Sequence, residues 1–135
     1  MDVPLAVLAD AANVSSDGNL NILGIFDTIF APTYPTLYPA VTLVIQLRPR
    51  RSESGHQARV VIRLMDADHT LAEIQGEFVV PEPEEGGRMV GLNQLFRIAP
   101  LGVPQAGDYA FYVVVNDEEK AVVPFHAVIR AADAP

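Results

Sequence analysis

The chain has 135 residues, half of them hydrophobic and 19% charged, which suits one folded domain and excludes a disordered one. A net charge of −8 argues against nucleic acid and anionic membrane as partners, and the absence of cysteine excludes disulfides, thiolate nucleophiles and cysteine-based zinc centres. The mean hydropathy is positive, and so apolar a chain is expected to cover part of its surface with a second copy or another protein.

No basic residue precedes Arg48, so the N-terminal stretch lacks a signal-peptide n-region, and its apolar run 3–12 is broken by Pro4 and Asp10. A cytoplasmic location is the expectation. Period-2 alternation recurs with turn residues between the segments, and no long stretch has a 3.6-residue period. Eight strands are expected, at 3–14, 20–31, 40–48, 57–65, 70–80, 89–98, 108–115 and 120–131. The expected fold is all-β: a single-domain antiparallel β-sandwich over residues 1–135, of Greek-key or immunoglobulin-like type.

The first two strands flank Asp17-Gly18, a hairpin signal. A two-residue loop there pairs Ser16 with Asn19 and sets Asp10 opposite Ile25 and Leu8 opposite Asp27. Asp10 and Asp27 then become diagonal neighbours on one sheet face, about 7–8 Å apart. Leu8, Ala12, Leu23 and Ile25 surround them, so the register predicts a buried carboxylate pair. Such a pair needs a cation, hydrogen-bond donors or a raised pKa, and it is the candidate acid/base, small-ligand or metal site. The competing reading is a pair satisfied by an arginine or by loop amides, or an exposed face.

Three prolines between Phe30 and Pro39 forbid a central strand there. Pro32, Tyr34, Leu37 and Tyr38 form a candidate interaction loop that grips a protein partner. The alternative is that Tyr34, Leu37 and Tyr38 plug the open end of the core.

Five arginines lie between Arg48 and Arg63 against a single Glu53. A hairpin joining 57–65 to 70–80 through Ala67-Asp68-His69 sets Ile62 opposite Ile74, Arg63 opposite Glu73 and Arg59 opposite Glu77, a self-neutralising solvent face. Arg48, Arg50 and Arg51 remain in a loop, as a small anion site or as solvated charges. Strand 108–115 is apolar on both faces, which suits a central strand covered twice or a subunit contact. Tyr109, entering it after Gly107-Asp108, has the setting of a tyrosine corner whose hydroxyl ties down residues 101–106. His56, His69 and His126 have no metal-ligand spacing, and no nucleophile elbow or phosphate loop is present. Asp66 and Asp68, near Asp117-Glu118-Glu119 or Asp17, admit a loop calcium site or ordinary Asp-rich turns.

Ala9-Asp10, Asn13, Asp17-Gly18-Asn19 through Phe26-Asp27, together with Gly107-Asp-Tyr-Ala-Phe111, resemble an uncharacterised family of small bacterial all-β proteins. The resemblance implies a fold class and a bacterial cytosolic setting, with no activity and no catalytic residues to carry over. Taken together, the residues predict a non-enzymatic module acting through protein–protein contact, self-associating and without a cofactor. The alternative is a small-ligand or metal-binding domain using Asp10 and Asp27 or the acidic loops.

Overall fold

The computed structural model describes residues 1–131 and is all-β, with a single 3-10 turn at Arg51–Glu53. Eleven strands replace the expected eight: β1 Asp2–Val14, β2 Leu20–Ile25, β3 Thr28–Ala31, β4 Thr36–Tyr38, β5 Val41–Arg48, β6 Gln57–Met65, β7 Thr70–Val79, β8 Leu92–Ile98, β9 Leu101–Val103, β10 Gly107–Val115 and β11 Glu118–Ile129. They form a four-stranded sheet of order β2-β1-β5-β8, a five-stranded sheet of order β3-β11-β10-β6-β7, and the two-stranded pair β4-β9. One core draws on all three, from Leu8, Leu43 and Ile45 in the first sheet to Ile62, Phe111 and Phe125 in the second and Leu101 in the third.

The additional strands are short ones that strict alternation does not mark. Thr36–Tyr38 and Leu101–Val103 pair across the chain inside segments read as loops. The expected strand 20–31 divides in two. The Phe26 N–H still donates to Leu8 O (3.0 Å) in the first sheet, while Asp27 O already accepts from the His126 N–H (2.8 Å) in the second. The halves therefore belong to different sheets, and β3 runs parallel to β11, so the expected all-antiparallel pairing is corrected at this strand.

The first hairpin also departs from its expected register by one residue. Val14 pairs with Leu20 and Ala9 with Ile25. The loop is Ser16-Asp17-Gly18, closed by Ser15 N–H to Asn19 O (2.8 Å) and Gly18 N–H to Ser15 O (2.9 Å), with Gly18 at φ +83°. A two-residue type I′ turn needs positive φ at both central residues, and only Gly18 supplies one. The result is a type I turn with a glycine bulge, one residue longer. The two-residue turn occurs instead at Asn116-Asp117, where φ is +49° and +66° and Val115 pairs with Glu118.

The β6–β7 register is as the charges predict: Ile62 opposite Ile74, Arg63 opposite Glu73, Arg59 opposite Glu77. Arg63 Nε reaches Glu73 Oε1 at 3.0 Å, whereas Arg59 turns to Gln75 Oε1 (2.9 Å) and Glu77 accepts from Gln57 (2.9 Å). β10 is a central strand, with Tyr109, Phe111, Val113 and Val115 in the core. The Tyr109 hydroxyl donates to Gln105 O (2.6 Å) and accepts from the Gln105 N–H (3.2 Å), the tie expected of a tyrosine corner. Removing the hydroxyl leaves both Gln105 groups without a protein partner, so Tyr109→Phe is expected to cost about 1–2 kcal/mol. Chemical denaturation of the two proteins measures the difference.

Candidate interaction surface

The expected carboxylate pair is not assembled. With the register shifted, Asp10 falls beside Gly24, where the β1–β2 ladder is interrupted. Gly24 has φ +71°, and a Cβ built on it would lie 2.9 Å from Asp10 Cγ, so only glycine fits. Asp27 lies in the bend between the two sheets, where its Oδ1 accepts from Thr28 Oγ1 (2.9 Å). Asp10 and Asp27 are both exposed, and water meets the solvation demand that burial would have created. The cause of the correction is the glycine bulge, which moves β2 by one residue against β1. Asp10 has a local packing role against Gly24. Gly24→Ala is accordingly expected to cost about 1–3 kcal/mol, with Asp10→Gly restoring only the contact part and leaving the φ penalty of ~1 kcal/mol. Thermal melts of the two single variants and the double variant separate the parts.

The proline loop divides as well. Tyr34 packs against the core and its hydroxyl donates to Val128 O (2.9 Å). Burial pushes its phenol above the ordinary value, and nearby Tyr109 adds to this. Tyr38 packs on Phe26 with ring centroids 6.2 Å apart. These two side chains close the end of the core, while Pro32 stays exposed and Leu37 is 70% exposed.

In the arginine loop, Arg51 donates to Gly87 O and Arg50 lies 3.6 Å from Asp2 Oδ1, so both guanidinium groups have partners within the chain. An open depression of about 870 Å³ beside Arg48 and Arg88 also carries Asp17 and Glu84, a mixed lining with no convergent charge. Asp66 Oδ1 accepts the N–H groups of Asp68 (2.8 Å) and His69 (2.7 Å), which makes it a turn device. Among the described residues no three acidic or histidine side chains gather as a metal site.

What the structure does assemble is a charge-poor face. Alternation in the four-stranded sheet turns Leu8, Leu43 and Ile45 to the core and places Leu5, Val7, Ala9 and Ala11 of β1 on the outside. Leu23 and Ile25 of β2, Thr42, Val44 and Gln46 of β5, and Asn93, Leu95 and Arg97 of β8 share that outer side. Arg97 carries a charge on this side, Arg48 and Asp2 extend it at one end, and Asn13 and Asn21 hydrogen-bond to each other at the other. Leu23 is 70% and Ile25 61% exposed. At the centre of this side Ala9 and Val44 are fully buried and Thr42 nearly so, and the apolar residues that face water are those of the β2 edge, where a polar residue is the ordinary choice. The outer face of the five-stranded sheet shows the ordinary pattern, with Arg59, Arg63, Glu73, Glu77 and Asp108. The alternation of 20–31 marks a strand and does not mark this face, because the outward residues of β1 and β8 join β2 only through the sheet order.

The strand order defines an all-β protein with apolar residues exposed along β2, and no cluster of metal-ligand side chains gathers among the described residues. The chain belongs to a family of unknown function, DUF6941, whose model matches residues 4–128. Comparison with curated proteins gives no match.

The pH behaviour of the Asp66 turn follows from its bonds. The backbone N–H groups of Asp68 and His69 hold the Asp66 carboxyl below the usual carboxylate range, against a smaller opposing effect of burial. A carboxylate depressed by folding stabilises above its unfolded pKa of ~3.9, and the contribution is lost as pH falls through the lower folded value. Asp66→Ala should therefore melt below the parent at neutral pH, with the gap closing as the solution is acidified below about pH 3. Paired melting curves across that range provide the check.

Proposed function

We propose that the protein is a non-enzymatic binding module, an immunoglobulin-like Greek-key β-sandwich that acts through protein–protein contact and pairs with a second copy of itself. The observation that carries this reading is the β2 edge of the four-stranded sheet, where Leu23 and Ile25 stand in water, with Arg97 at the far edge on β8. Each chain carries a net charge of −8, so two copies repel wherever acidic surfaces meet. This face is where they meet without that cost. Ala9 and Val44 at its centre are already fully buried, so the water-accessible apolar part of this face is chiefly Leu23 and Ile25 on β2. Four strands by the seven residues of β8 span roughly 440 Å² in projection, below the roughly 800 Å² per partner of a standard specific interface, so the pairing proposed is a weak one.

The bacterial, cytosolic setting belongs to the same proposal and rests on the sequence resemblance. No helix among the described residues is long and apolar enough to cross a membrane.

Light scattering on the purified protein tests the pairing. A dimer is expected at tens of micromolar, persisting at high salt because screening weakens repulsion and leaves apolar contact intact. The double variant Leu23→Lys, Ile25→Lys should be monomeric with stability changed by no more than about 0.5 kcal/mol per site, since both positions are exposed. A parent protein that is monomeric at that concentration overturns the reading.

A further inference from the structure

The five-stranded sheet is one strand wider than the sheet it faces. β1 lies against β11, so the strand orders bring β8 towards β6 and leave β7 without a counterpart. β7 is therefore an overhanging edge, paired on one side only, with β6.

Three properties of this edge point in one direction. Beneath its core-facing side lies an apolar cavity of about 230 Å³, floored by Ile62, Leu64, Leu101 and Phe111 and bordered by Ala72 and Ile74, with no charged residue in its lining. Its ten residues, TLAEIQGEFV, contain no proline, no lysine and no charge on the core-facing side; the charges it does carry, Glu73 and Glu77, are on the outer side. Gly76, on that same side, presents bare backbone, and a Cβ placed there would meet nothing within 4 Å. Glycine inside a strand is a common mark of a place where another backbone comes close.

The outer side of β7 supplies the chemistry of the partner. Glu73, Gln75 and Glu77 alternate there, facing β6 partners Arg63, Val61 and Arg59. A strand added beyond β7 would set its own outward residues next to these carboxylates.

We propose that β7 is a docking edge for an extended segment of another protein, which adds as a sixth strand of this sheet. The segment alternates apolar with basic residues. Its apolar side chains cover the cavity beside Ile74, and its lysines or arginines lie beside Glu73 and Glu77, while main-chain hydrogen bonds supply affinity. A second copy of β7 is disfavoured in the register centred on Gln75, which sets Glu73 directly opposite Glu77 of the other copy, a destabilising like-charge arrangement. The proposal is independent of self-association, which uses the opposite sheet.

The test uses the full chain and two synthetic amidated peptides, one alternating lysine with isoleucine and one alternating glutamate with isoleucine. Fluorescence anisotropy should show the lysine peptide binding at least about tenfold more tightly than the glutamate peptide. Amide shift changes in NMR spectra should concentrate on residues 70–79. Ile74→Lys, which puts a charge at the cavity mouth on a side chain already 37% exposed, should abolish binding. Glu77→Lys should narrow or reverse the preference between the peptides, and Leu23→Lys should leave binding unchanged. Equal binding of both peptides, shift changes away from β7, or unaltered binding by a folded Ile74→Lys protein would each overturn the assignment. Because Leu23→Lys breaks self-association alone and Ile74→Lys breaks peptide binding alone, the two readings fail separately.

Discussion

The architecture turns on one peptide unit. Between Phe26 and Asp27 the chain stops bonding to β1 and starts bonding to β11, so a single apolar segment serves two sheets. The Phe26 ring stays behind in the core against Tyr38, and Asp27 occupies the bend with its carboxylate on Thr28. Joining the sheets along this side holds β1 against β11. It also decides where the surplus strand of the wider sheet must appear. β7 overhangs at the far side because the near side is closed by the crossing chain.

The two outer surfaces differ because their strands arrive from different parts of the chain. β6 and β7 form a local hairpin, and their charges answer each other across a ladder whose register the turn sets: Arg63 meets Glu73. The four-stranded sheet is assembled from distant segments, with β1 beside β5 and β5 beside β8. Its outward positions are largely apolar on β1 and β2 and include Leu95 on β8, and only that assembly brings scattered residues such as Val7, Leu23 and Leu95 onto one side.

The expected Asp10–Asp27 pair shows how narrowly a site inference depends on turn chemistry. Its geometry followed from a two-residue loop at Asp17-Gly18. The observed loop takes in Ser16, because Gly18 alone adopts positive φ, and a one-residue slip exchanges every face relationship along β2. The interaction loop divided for another reason. Tyr34 and Tyr38 are large enough to reach the open end of the core, and a hydroxyl such as that of Tyr34 can find a backbone acceptor there. Leu37, between them on β4, has no such place and remains outside.

Local physics by itself determined the all-β class, most strand positions, the β6–β7 register and the role of Tyr109. Each of these rests on alternation, charge pairing or a contact a few residues away. Tertiary structure alone decided the division of residues 20–31 between two sheets, the parallel pairing of β3 with β11, and the pairs formed by β4 and β9. Those features satisfy backbone hydrogen bonds between segments far apart in the chain, and the partner of a backbone amide leaves no mark on the side chain that carries it. The exposed apolar residues of β2 and the edge position of β7 belong to the same class, since a strand's alternation does not reveal whether a neighbour covers it.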